Sequence, residues 1–337
     1  MVFKISDCKI LKTVIKQNSE IIDYGVRMVG APLEWCETMG EGIKVGIVDT
    51  GIDANHIDLK NRIGDYVNFS SGKSDDITDE NGHGTHVAGI VCAEKNGVGV
   101  VGVAPKADLY IAKAFDKDGK TTYHAIEKSL NWMISKRVDV INMSFSSDIS
   151  TREYKNLISK IHANGISMIC AAGNEGLAGD NTIGYPANFR ETIAVTAVDI
   201  HRKITDFSSM GGQAEIAAAG KNIYSTYPNN GYATLSGTSM ATPIITGAAA
   251  ILHGKCLLRY GRKLTPTELR LLLNIYTDKL GEKGRDKRYG YGLFSFGRFE
   301  NTDYVYSDPA SAVSSLNVSA GGGDRFKCAY DLMMKMQ

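Results

Sequence analysis

The sequence predicts an α/β domain of three layers, an α/β/α arrangement with helices on both faces of a mainly parallel central sheet. Strand-like runs at residues 45–48, 109–112, 138–143, 167–171 and 193–198 are largely apolar, as in strands buried on both faces. Helix-length stretches near residues 83–93, 122–136, 151–164 and 239–252 separate them, and strands alternating with helices build parallel sheets. No internal repeat or linker-like composition divides residues 21–299, so this chain of 337 residues is expected to carry one large domain there. Right-handed crossovers follow, and a site belongs at the carboxyl ends of the strands.

Taken in chain order, Ile43-Lys-Val-Gly-Ile-Val-Asp49-Thr-Gly-Ile-Asp53 is a buried strand ending in an acid, then a glycine turn. An acid there must be hydrogen-bonded or paired, because an isolated buried charge is very costly. Asn81-Gly-His83-Gly-Thr-His86-Val-Ala-Gly89 is a glycine-punctuated loop feeding a helix of small apolar residues. His86 follows His83 at a spacing that suits one helical face and suggests zinc. No Cys, His or acid in that loop completes a ligand set, so His86 is expected to pack and hydrogen-bond behind the loop. In Ala171-Ala-Gly-Asn174-Glu175-Gly, the asparagine suits a turn. Finally, Gly237-Thr-Ser239-Met-Ala-Thr-Pro243 opens the apolar helix Ile244-Ile-Thr-Gly-Ala-Ala-Ala-Ile-Leu252. Pro243 is expected in the first turn, where its missing N–H costs little. Ser239 then stands at a helix N-terminus, whose free N–H groups and positive dipole end favour an anion. Such a serine is either part of a capped core helix or a nucleophile. The chain order Asp49, His83, Ser239 is one of the orders in which acid, base and nucleophile of a serine triad occur.

Together, Val48-Asp-Thr-Gly, His83-Gly-Thr-His-Val-Ala-Gly, Ala171-Ala-Gly-Asn-Glu-Gly and Gly237-Thr-Ser-Met-Ala-Thr-Pro resemble the signature blocks of the subtilisin-like serine proteases, in order and approximate spacing. The resemblance runs from about Ile21 to about Phe299 and implies the subtilisin-like fold. It makes Ser239 the nucleophile, His83 the general base, Asp49 the acid that orients the imidazole, and Asn174 a donor of the oxyanion hole. It also implies that substrate pairs as an extended strand beside Ser144-Phe145-Ser146-Ser147, where the family's usual pattern is Ser-Leu-Gly-Gly. Side chains in place of glycines restrict backbone approach, so Phe145 and Ser146 are expected to narrow the groove. Ala171, Ala172 and Gly173 would form the other wall of the pocket for the residue before the scissile bond. Gly184 would lie near its floor and Glu175 at its rim, where it could attract a basic side chain.

The same resemblance implies structural calcium. The loop Glu94-Lys-Asn96-Gly-Val98-Gly-Val100 matches a calcium loop of the family, with Asp58 and Asn96 as side-chain ligands. Carbonyls of Glu94, Val98 and Val100 would complete an all-oxygen cage suited to a hard cation, and Glu20 is the nearest match for the remaining ligand.

Composition bounds the partners. A net charge of +1 without a dense basic stripe gives no support to nucleic-acid or anionic-membrane binding, and no run is read as a transmembrane helix. Protein or peptide substrates are the expected partners. Residues 1–10 lack the apolar core and cleavage site of a signal peptide. The cysteines (Cys8, Cys36, Cys92, Cys170, Cys256 and Cys328) form no paired framework, and free thiols fit a reducing compartment. A cytoplasmic protein is therefore expected, which narrows the resemblance to the intracellular subtilisins of bacteria. Those proteins carry a short N-terminal extension that lies across the active site until cleaved. Here its usual Leu-Ile-Pro-Tyr core is replaced by Ile10-Leu-Lys-Thr13, so residues 1–20 are either an inhibitory prosegment or a frayed end. Residues 21–299 are the catalytic domain. Residues 300–337, Ser/Ala/Gly-rich before an amphipathic end, are either a mobile tail or the contact of a homodimer. Three functions compete: a calcium-dependent degradative endopeptidase, a processing protease that trims leader peptides, and a pseudoprotease that only binds.

Overall fold

The computed structural model describes residues 2–5, 12–14, 19–70, 72–297 and 324–336. Two short strands, β1 (Val2–Lys4) and β2 (Lys12–Val14), precede helix α1 (Tyr24–Met28). Strands and helices then alternate: β3 (Lys44–Asp49), β4 (Ile63–Asn68), α2 (His83–Cys92), β5 (Asp108–Lys113), β6 (Lys120–Thr122), α3 (Tyr123–Lys136), β7 (Val140–Met143), α4 (Arg152–Ala163), β8 (Ser167–Ala171) and β9 (Ile193–Val198). They are followed by β10 (Ala214–Ala219), the hairpin β11 (Ile223–Tyr227) and β12 (Gly231–Leu235), and the long helix α5 (Thr238–Tyr260). The chain continues through α6 (Pro266–Ile275), β13 (Thr277–Asp278) and β14 (Leu293–Phe294) to α7 (Arg325–Met336).

Nine strands form the central sheet in the order β13-β14-β10-β9-β8-β7-β3-β5-β4. All its pairings are parallel except that of β13 with β14. Successive side chains of a strand point to opposite faces, and the sequence uses both. Val45 and Ile47 of β3 join Val87 and Val91 of α2 and Ala248 and Leu252 of α5. Val48, with Ile141 and Met143 of β7, joins Leu130 of α3 and Ile158 and Ile161 of α4 on the other face. Each fully buried aliphatic side chain contributes about 1.5–3 kcal/mol. The helices begin where side chains can cap them: Thr122 accepts from Ala125 N, Thr151 from Tyr154 N, and Thr265 forms a capping box with Glu268.

The strand order reverses beside β3, which pairs with β5 on one edge and β7 on the other. Open parallel sheets bind ligands at the carboxyl ends beside such a switch point. Asp49 is the last residue of β3, and Ser144 follows β7 directly.

One expectation changes. Helix α5 is 23 residues long and, by length and composition, apolar enough to cross a membrane, contrary to the sequence reading. It is the core helix, with 89% of its apolar window buried. The C-terminal amphipathic segment is helix α7, which stacks Tyr330 on Tyr260 of α5 at 4.2 Å and buries Phe326 and Met333. Buried Lys255 of α5 pairs with Glu34 and, at 3.1 Å, with Glu37. Arg259 binds Glu37 at 2.5 Å and also Asp324, while Arg325 lies 3.6 Å from Glu34. The rest of the expected tail, residues 300–323, lies outside the described residues, as do Cys8 and residues 6–11 and 15–18 of the N-terminal extension.

Candidate active site

The site is assembled around the start of α5. Ser239 lies in its first turn, buried at 2% exposure, and its Oγ donates to the Ser144 carbonyl at 3.1 Å. The Ser144 hydroxyl returns a bond to the Ser239 carbonyl at 3.0 Å. Pro243 is the reason that carbonyl is available. It stands inside α5, one turn beyond Ser239, and not in the first turn as its sequence suggested. A proline there has no N–H for the carbonyl four residues earlier, and the Ser144 hydroxyl supplies the missing donor. Asn142 Nδ2 donates to Ser144 Oγ at 2.9 Å, and Thr246 Oγ1 to Asn142 Oδ1 at 3.0 Å, so β7 and α5 hold this arrangement from both sides.

His83 begins α2, and its Nδ1 lies 2.7 Å from Asp49 Oδ1, with both side chains buried. The same oxygen accepts the Thr50 N–H at 2.8 Å, which fixes the carboxylate at the end of β3. With Nδ1 donating to a carboxylate, the imidazole has Nε2 as its basic nitrogen. His86 lies on the same helix, and its Nε2 faces the carbonyls of Ile223 and Ala233 at 3.2 and 3.1 Å. Burial holds its pKa down at about 3, so it is a neutral donor tying α2 to the β11–β12 hairpin.

Asn174 follows β8. Its Oδ1 accepts both the Thr238 N–H and the Thr238 hydroxyl, each at 2.9 Å. Those bonds assign the amide's orientation and leave Nδ2 as its donating end. The Ser239 backbone N–H has no acceptor among the described residues. Two donors are thus available at the start of α5.

The segments expected to form the groove meet here. Gly184 N bonds to Ala172 O at 3.1 Å, and Ser147 and Tyr185 exchange backbone hydrogen bonds of 2.9 and 2.8 Å. Gly173 N reaches Thr238 Oγ1 at 3.2 Å, which joins the Ala171–Ala172–Gly173 turn to α5. A Cβ at Gly184 would stand 3.1 Å from Ser146 Cβ, so glycine keeps that contact open. Glu175 is exposed, with its N–H on Ser209 Oγ at 3.0 Å.

Phe145 is buried, and a side chain from the N-terminal extension packs on it. Strand β1 pairs antiparallel with β6, placing Phe3 opposite Thr121, and Ile5 N donates to Gly119 O at 3.0 Å. Fully buried Phe3 meets Phe145 and Tyr154 edge to face, with ring centroids 5.8 and 5.2 Å apart. Strand β2 pairs with β12. Residues 1–20 are therefore attached to the domain at both described strands.

The second cluster surrounds Asp58, whose carboxylate is fully buried. It accepts from Asn96 Nδ2, Val100 N and Tyr232 OH, each at 3.0 Å. Glu20 Oε1 accepts Gly97 N at 2.7 Å, bringing the N-terminal segment onto the same loop. The carbonyls of Glu94, Val98 and Val100 accept no backbone hydrogen bond among the described residues.

Sequence reading missed three contributors. Phe3 carries no local signal, because its pocket gathers residues far apart in the chain. Thr238 looked like spacing within its motif. Asp79, buried between Thr50 and the start of α2, is one acid among many in the sequence.

A sequence model of the Subtilase family matches residues 40–292. The chain is 40% identical over 300 residues to the intracellular serine protease of Paenibacillus polymyxa, covering 87% of this chain and 91% of that one. It is 42% identical over 279 residues to subtilisin DY of Bacillus licheniformis, covering 82% and 98% of the two chains. It is 39% identical over 264 residues to the major intracellular serine protease of Bacillus subtilis (strain 168), covering 75% and 83%. The parallel sheet, the site at its switch point and these likenesses agree: the chain belongs to the subtilase family and is a subtilisin-like serine endopeptidase.

Proposed function

We propose that Ser239, His83, Asp49 and Asn174 cleave peptide bonds through an acyl-enzyme, and that residues 1–20 close the groove until they are removed. The observation that carries the first part is the buried 2.7 Å contact between His83 Nδ1 and Asp49 Oδ1. For attack, the Ser239 proton swings from the Ser144 carbonyl to His83 Nε2 as Oγ adds to the substrate carbonyl. Asp49 stabilises the imidazolium, which then protonates the leaving amine, and water repeats the sequence on the ester. Negative charge on the tetrahedral oxygen falls to the Ser239 N–H and Asn174 Nδ2. In subtilisin itself, losing an asparagine of this kind costs about 2.7–4 kcal/mol. Rapid labelling of the serine by a fluorophosphonate, abolished in Ser239→Ala, is the expected result. Labelling that survives this substitution would refute the assignment.

The second part rests on Phe3. In this reading β1 lies along β6 as a substrate strand would, with Phe3 in an aromatic pocket that a bulky apolar substrate side chain fills after activation. Residues 21–299 are then the catalytic domain. Incubation of the full-length chain with calcium should remove about the first twenty residues as activity rises. Full activity with the N-terminus intact would instead favour a narrow processing protease, a reading motivated by Phe145 and Ser146 standing where the family's usual pattern has Leu and Gly.

Calcium is proposed for the Asp58 loop. One buried carboxylate, one amide and three carbonyls without a hydrogen-bond donor among the described residues form an all-oxygen set that fits a hard cation. Asn96 would turn its amide so that oxygen faces the ion, with Asp58, Glu94, Val98 and Val100 as the remaining donors. The ion's contribution is cross-linking: it would tie residues 94–100 to Asp58. A cytoplasmic location is supported by the five cysteines that are free among the described residues, Cys92 and Cys170 buried, and by relatives named as intracellular proteases.

A further inference from the structure

Helix α2 begins with a residue that cannot cap it. Gly82 has no side chain, yet the first N–H groups of a helix need acceptors from outside. They find them on three residues. His83 N donates to Asn81 Oδ1 at 3.2 Å, Gly84 N to Thr50 Oγ1 at 2.9 Å, and Thr85 N to Asp79 Oδ2 at 2.8 Å. Asp79 is buried at 3% exposure and also accepts from Thr85 Oγ1 at 2.6 Å, Gly82 N at 2.8 Å and Asn81 N at 3.2 Å. Its remaining donor is the Thr50 hydroxyl, at 2.8 Å.

Thr50 is thus a two-way bridge. Its hydroxyl gives its proton to Asp79 and receives the N–H of Gly84, the residue after His83. Its own N–H holds Asp49 Oδ1, the oxygen that faces His83 Nδ1. The two backbones are also in direct contact, because a Cβ at Gly84 would stand 2.2 Å from Gly51 O. The end of β3 and the start of α2 are therefore fastened through Thr50 and Asp79, on a path separate from the His83–Asp49 bond itself.

We propose that Asp79 and Thr50 are positioning residues that set the register of His83 against Asp49. The inference rests on His83 and Asp49 acting as base and acid. Asp79 replaces the cap that Gly82 lacks, and Thr50 transmits that anchoring to the strand carrying Asp49. Slack in this frame lets the imidazole shift relative to Ser239 while leaving the groove that binds substrate intact. The loss therefore falls on kcat and not on KM, since small misplacements of catalytic groups are expensive. The Asp79 carboxylate also places negative charge at the helix start that carries the imidazolium in the transition state.

The test uses the activated enzyme, with Thr50→Val, Thr50→Ser and Asp79→Asn measured on a peptide anilide. Fluorophosphonate titration counts competent sites, so folding losses are divided out. Thr50→Val is expected to lower kcat per site by about 10- to 100-fold with KM within about twofold. Thr50→Ser, which keeps the hydroxyl, recovers most of that loss. Asp79→Asn loses at least as much as Thr50→Val and moves the acid limb of the kcat/KM profile to lower pH. Should Asp79→Asn fail to fold, the two Thr50 variants alone decide the matter. A kcat within about twofold of wild type for Thr50→Val overturns the proposal, whatever happens to thermal stability. So does a Thr50→Ser variant as slow as Thr50→Val, which would make the methyl group and not the hydroxyl the cause. Failure of the base assignment shows separately, as activity retained in His83→Ala.

Discussion

Ser144→Ala removes the hydroxyl that substitutes for the absent N–H of Pro243. Two buried groups lose their partner, the Ser239 carbonyl at 3.0 Å and Asn142 Nδ2 at 2.9 Å. An unsatisfied buried polar group costs about 1–3 kcal/mol, so the substitution should destabilise by about 2–6 kcal/mol. Pro243→Ala supplies a helical N–H to the same carbonyl. In that background Ser144→Ala should leave only the Asn142 amide unpaired, and its cost should fall by about 1–3 kcal/mol. The assay is a double-mutant cycle read from urea denaturation midpoints, in a Ser239→Ala background that prevents self-cleavage and keeps the carbonyl in place. Propensity effects of replacing the proline appear in both arms and cancel. A coupling below about 0.5 kcal/mol, the usual limit of additivity, would refute the exchange of donors.

Triad members act as a unit, so Ser239→Ala, His83→Ala and their combination should lose similar activity on a peptide substrate; a double variant far below both singles would contradict the assignment. Chelator should lower the melting temperature of the wild type by several degrees more than that of Asp58→Ala, as expected of an ion bound only by the folded state, and equal shifts would exclude this site. Burying Phe3 stabilises β1 by about 1.5–3 kcal/mol, so Phe3→Ala in the full-length chain should weaken docking roughly tenfold to a hundredfold. Initial activity measured before any N-terminal cleavage should rise accordingly, and an unchanged value would remove Phe3 from the closure. Desolvation lowers the pKa of His86 to about 3, so the unfolded chain binds its proton first as pH falls below about 6.5. Stability from this group is full above that pH and is lost as pH drops toward 3, with a slope of about 1.4 kcal/mol per unit. His253 acts in the same direction, with its pKa lowered to about 4, whereas Asp23, raised to about 6, acts in the opposite one. Denaturation midpoints between pH 6 and 4 should therefore show a shallower pH dependence in His86→Asn than in the wild type, and equal slopes would refute a buried neutral His86.

The central strands were legible because a strand buried on both faces needs a predominantly apolar run, and β3, β7, β8 and β9 are such runs, with Asn142 of β7 and Thr196 of β9 among the polar exceptions. Strand β10 escaped notice because Glu215 interrupts it, a carboxylate that the fold accommodates with Arg270 at 3.0 Å and Arg285 at 3.7 Å. Those arginines arrive from distant segments, and no local pattern announces them. The residues of the proposed triad could be singled out for the opposite reason: each sits in a short block rich in glycines and small residues. Pro243 was misplaced because the sequence does not locate the first helical residue. The bonds from Thr238 to Asn174, 64 positions away, fix α5 beginning at Thr238. Phe3 was illegible altogether, since its pocket joins Phe145 and Tyr154 to a strand from the other end of the chain.

Helix α5 can also be considered as a lever. Its 23 residues span about 34 Å at 1.5 Å per residue, with Ser239 at one end and Lys255, Arg259 and Tyr260 near the other. A tilt of about one degree pivoting at the distal end would displace the serine by roughly 0.6 Å, beyond the 0.5 Å tolerance typical of catalytic geometry. The contacts of Glu34, Glu37, Asp324 and helix α7 with that distal end then limit angular play. Variants far from the groove that loosen them should spread the orientations of Ser239, giving an enzyme whose turnover is uneven from molecule to molecule while substrate affinity is unchanged.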